Sequence, residues 1–141
     1  MVEEDLTALV LELAVWGSDP ADLAFLDPPP AAATGAARRL LTQLGALDDE
    51  GRPTARGRAL AELPLHPRLG RLVLAGVEAG HGWTACLLAA LLDERDVLSG
   101  RPDEVPTDLV MRVRLAAGEV PGHVLADDGA LARVRRRAED L

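Results

Sequence analysis

The chain has 141 residues, nearly half of them apolar, which suffices for one domain, or two small ones sharing a core, and is too apolar for disorder. Its formal net charge of −8 argues against a free-standing nucleic-acid binder, which shows a basic footprint. No apolar run approaches the roughly 20 residues that cross a bilayer, no basic-then-apolar leader opens the chain, and the one cysteine, Cys86, can make no internal disulfide, so the expectation is a cytoplasmic protein with no membrane partner.

All fifteen basic residues are arginine, as GC-rich coding would give. Residues 1–106 carry nine arginines against seventeen acids, whereas residues 107–141 carry six against six. Phosphate contact is therefore expected in the second part.

The first helix is predicted in "DLTALVLELAVWG", with Leu6, Leu9, Val10, Leu13 and Ala14 at helical spacing, Asp5 as N-cap and Gly17 as the stop. Asp19 and Pro20 restart a short helical turn. "AFLDPPP" follows, and because a residue before proline is pushed out of the α region, Asp27 to Pro29 should be extended, with the next helix starting near Pro30. That helix turns Ala33, Ala37, Leu40, Leu41 and Leu44 inward and ends at Gly45. "ALDDEGRPT" reads as a small hairpin with its turn at Asp48–Gly51, and Thr54 caps a helix that buries Leu60 and Leu63.

Pro64 breaks that helix, and Pro67 opens another that buries Leu69, Leu72, Val73 and Val77. "WTACLLAALL" is apolar nearly all round and should be a central helix. After the loop "SGRPDEVP", Thr107 is the expected cap of a helix with Leu109, Val110, Val113, Ala116 and Ala117 inward and Arg112 and Arg114 outward. A second loop leads to "GALARVRRRAEDL". This last helix reaches the final residue without a cap, so it reads as cut short within a longer protein.

No enzyme chemistry assembles. A phosphate-cradling P-loop needs a lysine, and the chain has none. His66, His81 and His123 are scattered without metal-ligand spacing, Ser18 and Ser99 have no histidine partner in view, and Cys86 sits in an apolar helix as an inert thiol would. The acid pairs Asp48–Asp49 and Asp127–Asp128 belong to turns. The densest basic cluster is Arg133 to Arg137, which suits the C-terminal half of a helix. No catalytic, cofactor or metal residue is expected in this chain.

Read as an ordered pattern, the sequence resembles the helicase-associated region of DEAH-box ATP-dependent helicases, in its bacterial HrpB-type form. The resemblance is carried by Phe25, Asp27, Pro28 and Pro29, by Leu44, Gly45 and Leu47, by Asp48, Gly51 and Thr54, by Gly57 and Arg58, and by Leu63, Pro64, Leu65 and Pro67. It runs nearly ungapped from about Leu9 to Leu98, and "PLHPRL" and "LLDERDVLSGRPDE" carry the HrpB-type likeness. It implies a mainly α fold, with a degenerate winged helix bearing a small β-wing over residues 1–66 and a helical ratchet-like bundle over 67–141. It also implies RecA-like motor domains of the same chain as partners, with ATP and Mg bound there, and single-stranded RNA or DNA as the guided strand. Arg112, Arg114, Arg133 and Arg136 become the candidate strand contacts, the "AFLDPPP" corner anchors Phe25 and Leu26 inward, and the fragment is expected to be monomeric. The competing reading is a free-standing winged-helix regulator that binds duplex DNA through Arg56 and Arg58.

Overall fold

The computed structural model describes residues 5–94, 96–98, 106–119 and 126–141. The expectations for Ser99, for His123 and for most of the two long loops lie outside the described residues. The fold is mainly helical: α1 Thr7–Trp16, a 3-10 turn Pro20–Asp22, α2 Ala31–Gln43, α3 Ala55–Glu62, α4 Pro67–Glu78, α5 Gly82–Asp93, α6 Leu109–Ala116 and α7 Asp128–Glu139. Two compact units are present, Met1–Arg71 and Leu72–Leu141. Among the described residues no helix is long and apolar enough to cross a membrane.

In the first unit α1 packs on α2 and α3, and Leu11, Leu41 and Leu60 are fully buried leucines of these helices. Gly17 ends α1 at φ 80°, where its amide and that of Ser18 satisfy the carbonyls of Ala14 and Leu13. Asp5 is not the N-cap. That position is Leu6, which has no side-chain cap, and the Asp5 carboxylate accepts from the Thr7 amide at 2.9 Å. Its Oδ2 also stands 3.0 Å from Nε2 of His66. Thr7 bonds, and then His66, hold the Asp5 carboxyl below its usual pKa.

The prolines act as predicted: Pro30 is the extended residue before α2, at φ −57° and ψ 130°. Their neighbours do not. Phe25 is 36% exposed and Leu26 99% exposed, so neither anchors inward. Leucines of α1, α2 and α3 already fill this core, and the extended segment runs over its surface.

The wing is reduced to a single bridge, Leu47 to Pro53, closed by the Asp48 amide on the Arg52 carbonyl. Asp48 Oδ1 accepts from the Glu50 and Arg52 amides, and Gly51 supplies φ 80°. Thr54 caps α3 by accepting from the Gly57 amide at 3.0 Å while its hydroxyl donates to the Gly45 carbonyl at 2.7 Å. Thr54→Ala should cost about 1–2 kcal/mol, since it loses a cap and strands a carbonyl. Thr54→Ser should keep most of that stability, and equal urea midpoints for the two variants would refute the capping role.

In the second unit a core of α5, α6 and α7 forms around Leu87, Leu91, Val97, Leu115, Leu131 and Val134. Leu98 bridges to Ala126, and the Asp127 amide donates to the Val97 carbonyl. Three expectations are corrected here. Val77 is 60% exposed, because α4 meets α5 through Gly76, whose added Cβ would collide with the Cβ of Ala85. The helix α5 is not buried all round: Trp83 and Leu92 are about half exposed. Asp108, not Thr107, caps α6, with Oδ1 accepting from the Val110 and Met111 amides. Leu115 and Ala116 are then the buried pair, while Leu109, Val110 and Ala117 lie outside.

Candidate nucleic-acid interface

The six arginines of α6 and α7 fall into three groups by what their guanidinium groups touch. Arg112 is spent internally. Its Nε and Nη2 donate to the two carboxylate oxygens of Asp96 at 2.9 and 2.6 Å, and Nη1 donates to the carbonyls of Pro106 and Asp108 at 2.6 and 3.1 Å. Only 12% of the side chain is exposed. The expectation that Arg112 faces a strand is therefore corrected: with the cap moved to Asp108, the residue turns back onto the chain that enters α6. The bidentate pair holds the Asp96 carboxyl below its usual pKa and raises that of Arg112.

Arg135 and Arg137 flank the buried stripe of α7, Ala130, Leu131, Val134 and Ala138. Arg135 donates from Nε to the Ala116 carbonyl at 2.8 Å and from Nη2 to the Leu115 carbonyl at 3.1 Å. Those are C-terminal carbonyls of α6, at the negative end of its dipole, and that of Leu115 also accepts from the Gly118 amide at 3.0 Å. Arg137 donates to Asp93 Oδ2 at 3.1 Å from Nη2 and at 3.3 Å from Nε, linking α7 to α5. Sequence reasoning groups both with Arg133 and Arg136 as one basic cluster in the C-terminal half of a helix. Projecting the cluster on a helical wheel beside Leu131, Val134 and Ala138 would have separated them.

Arg133 and Arg136 are exposed, three residues apart on one helix, so their Cβ atoms are neighbours about 5–6 Å apart. Arg114 is also exposed, but its Nε donates to Glu119 at 2.6 Å, so part of its charge is met locally. Of the four expected contacts, Arg133 and Arg136 form an outward pair, Arg114 stands outside with an acidic partner, and Arg112 is withdrawn.

Of the other signature residues, Leu47, Gly57 and Pro67 are buried, Pro29 and Thr54 are half-buried, and Asp27, Pro28 and Pro64 are exposed. The second unit has a cleft of about 380 Å³ lined by Leu91, Leu92, Glu94, Asp96, Thr107, Leu109 and Arg112. The first has one of about 330 Å³ beside Asp19, Arg38, Glu50 and Arg52. In it Arg38 pairs with Asp19. Among the described residues no group of histidine, cysteine, aspartate and glutamate could hold a metal ion. Burial pushes the Cys86 thiol up in pKa, away from nucleophilic character.

Comparison with known proteins agrees with the pattern. Residues 37–65 match the family model for the helicase associated domain (HA2), winged-helix. The chain is 41% identical over 95 residues to the ATP-dependent RNA helicase HrpB of Escherichia coli (strain K12), covering 67% of this chain and 12% of that protein. It is 36% identical over 102 residues to the pre-mRNA-splicing factor ATP-dependent RNA helicase prp22 of Schizosaccharomyces pombe, covering 72% of this chain and 9% of that one. The crystal structure of the E. coli DExH-box NTPase HrpB superposes with a TM-score of 0.61 at 33% identity, over 96% of this chain and 18% of that one. This chain thus spans about a tenth of the length of the curated relatives. From the wing and the α3 cap at Thr54 to the superposition with HrpB, the chain belongs to the helicase-associated (HA2) winged-helix family of DEAH-type helicases.

Proposed function

We propose that the chain is the non-catalytic accessory region of an ATP-dependent helicase, linking RecA-like motor domains of the same polypeptide to the path of a single strand and helping to guide that strand. In this reading residues 1–66 are the winged-helix part and 67–141 the ratchet-like bundle, ATP and Mg belong to the motor, and the protein works in the cytoplasm. Both curated relatives are named as RNA helicases, which favours RNA as the strand. The observation that carries the guiding role is the division of the α7 arginines, in which two hold the helix and two, Arg133 and Arg136, face outward.

The regulator reading loses ground on α3. Arg58 Nη1 donates to the Pro53 carbonyl, and Arg56 lies over Gly45, where an added Cβ would come within 2.6 Å of its Nη1. Arg58 thus bonds back to the wing and Arg56 lies over the end of α2, so the two do not form one basic recognition face.

The chain alone is expected to turn over no ATP and to bind single-stranded RNA weakly, with affinity falling as salt rises. In a full-length helicase carrying this region, Arg133→Glu with Arg136→Glu should slow unwinding several-fold more than it lowers basal ATPase. Equal loss of both would refute a guiding role, and tight sequence-selective duplex binding by the chain would favour the regulator.

A further inference from the structure

Four arginines lie within five residues of α7, yet they face three ways. The buried stripe between Arg135 and Arg137 contains two alanines, Ala130 and Ala138. Leu131 and Val134 of the same stripe are buried and seat the helix, while the two alanines add little to its resistance to rotation about its own axis, because a small turn of so short a side chain changes little buried area. The fork of Arg135 resists rotation well. Its two donors hold the successive carbonyls of Leu115 and Ala116, and a planar guanidinium satisfies both only over a narrow range of helix rotation. Arg137 on Asp93 restrains the opposite flank.

We infer that Arg135 is a positioning residue that fixes the rotation of α7, so that Arg133 and Arg136 meet neighbouring phosphates of one strand together. This rests on the strand-guiding reading above and adds to it a residue that touches no phosphate. A helix free to turn would offer the two arginines one at a time.

The test uses the whole 141-residue chain with a fluorescein-labelled oligouridylate of about 12 nucleotides, within the span that single-strand-binding folds occupy, titrated at several KCl concentrations below the unfolding temperature of every variant. Arg133→Gln with Arg136→Gln should weaken binding and flatten the plot of log affinity against log salt by about 0.7 for each phosphate no longer neutralised. Arg135→Gln alone should weaken binding about five-fold, and that effect should vanish in the Arg133→Gln, Arg136→Gln background. Arg135→Lys keeps the charge but not the fork, and should behave like Arg135→Gln.

An undiminished loss of about five-fold in the double-variant background would make Arg135 a direct phosphate contact and overturn the proposal. So would unchanged binding by folded Arg135→Gln, which would leave it a purely structural residue, or full binding by Arg135→Lys. Failure of the unaltered chain to bind RNA at any salt would instead remove the strand-guiding reading itself, and the positioning role with it.

Discussion

Gly57→Ala is expected to destabilise the winged-helix unit by about 3 kcal/mol or more, at or beyond the upper end of ordinary overpacking. The added Cβ would fall inside the van der Waals shell of the Ala46 carbonyl oxygen and stand 3.0 Å from its carbonyl carbon. The obstacle is backbone and cannot swing aside as a flexible side chain would. Ala46 is fully buried, and its carbonyl accepts from the Thr54 amide at 2.9 Å and from the Thr54 hydroxyl at 3.2 Å. Moving it would open the bridge behind the wing and the cap of α3 together. Gly35→Ala is the control. It sits in α2, its Cβ would meet only Arg39 Nη1 at 3.5 Å, and it should stabilise by roughly 0.5–1 kcal/mol through helix propensity. Urea unfolding followed by far-ultraviolet circular dichroism separates the two. A Gly57→Ala midpoint within error of wild type would refute the close approach.

Glycine also marks the limit of what was legible in the sequence. Apolar spacing, the prolines at 30 and 67, and Thr54 locate the helices, and those signals are local, so α2, α3 and α4 start where they are expected. Hydrophobic periodicity gives a glycine no weight, yet Gly57 and Gly76 are where α3 meets Ala46, just ahead of the wing, and where α4 meets α5. For that reason periodicity points Val77 inward although it is exposed. At α6 two capping residues stand side by side, and choosing Thr107 over Asp108 rotates the predicted face and hides the burial of Leu115. For Phe25 and Leu26 the prolines fix the backbone but carry no information about which side is covered.

The candidate interface was legible as composition and not as geometry. A net charge of zero in residues 107–141 draws attention to α6 and α7. What each arginine does depends on partners far along the chain: Asp96 for Arg112, Asp93 for Arg137, and the end of α6 for Arg135. No spacing rule links those positions.

Arg112→Ala follows from that geometry and should cost about 1–3 kcal/mol at neutral pH, below what breaking a fully buried ion pair costs because Asp96 is 47% exposed to water. The substitution removes the Arg112 donors from both oxygens of Asp96, of which Oδ1 keeps the Leu98 amide at 3.1 Å, and from the carbonyls of Pro106 and Asp108, which lie on either side of the connection from α5 to α6. Its pH dependence has a definite sign. Asp96 is held below its usual pKa in the folded chain, so the pair stabilises fully above the ordinary carboxylate value near 4 and loses strength as pH falls through the lower folded value. Wild type should therefore lose stability below about pH 4 faster than Arg112→Ala does, and the gap between their melting temperatures should narrow there. It should not close, because the two carbonyl bonds of Arg112 do not depend on the protonation of Asp96. A lysine cannot make all four bonds at once, so Arg112→Lys should fall between the two at about pH 7. Melting curves at about pH 7 and about pH 3 for the three proteins test this, and a gap that stays constant with pH would show that Asp96 contributes nothing to what Arg112 holds together.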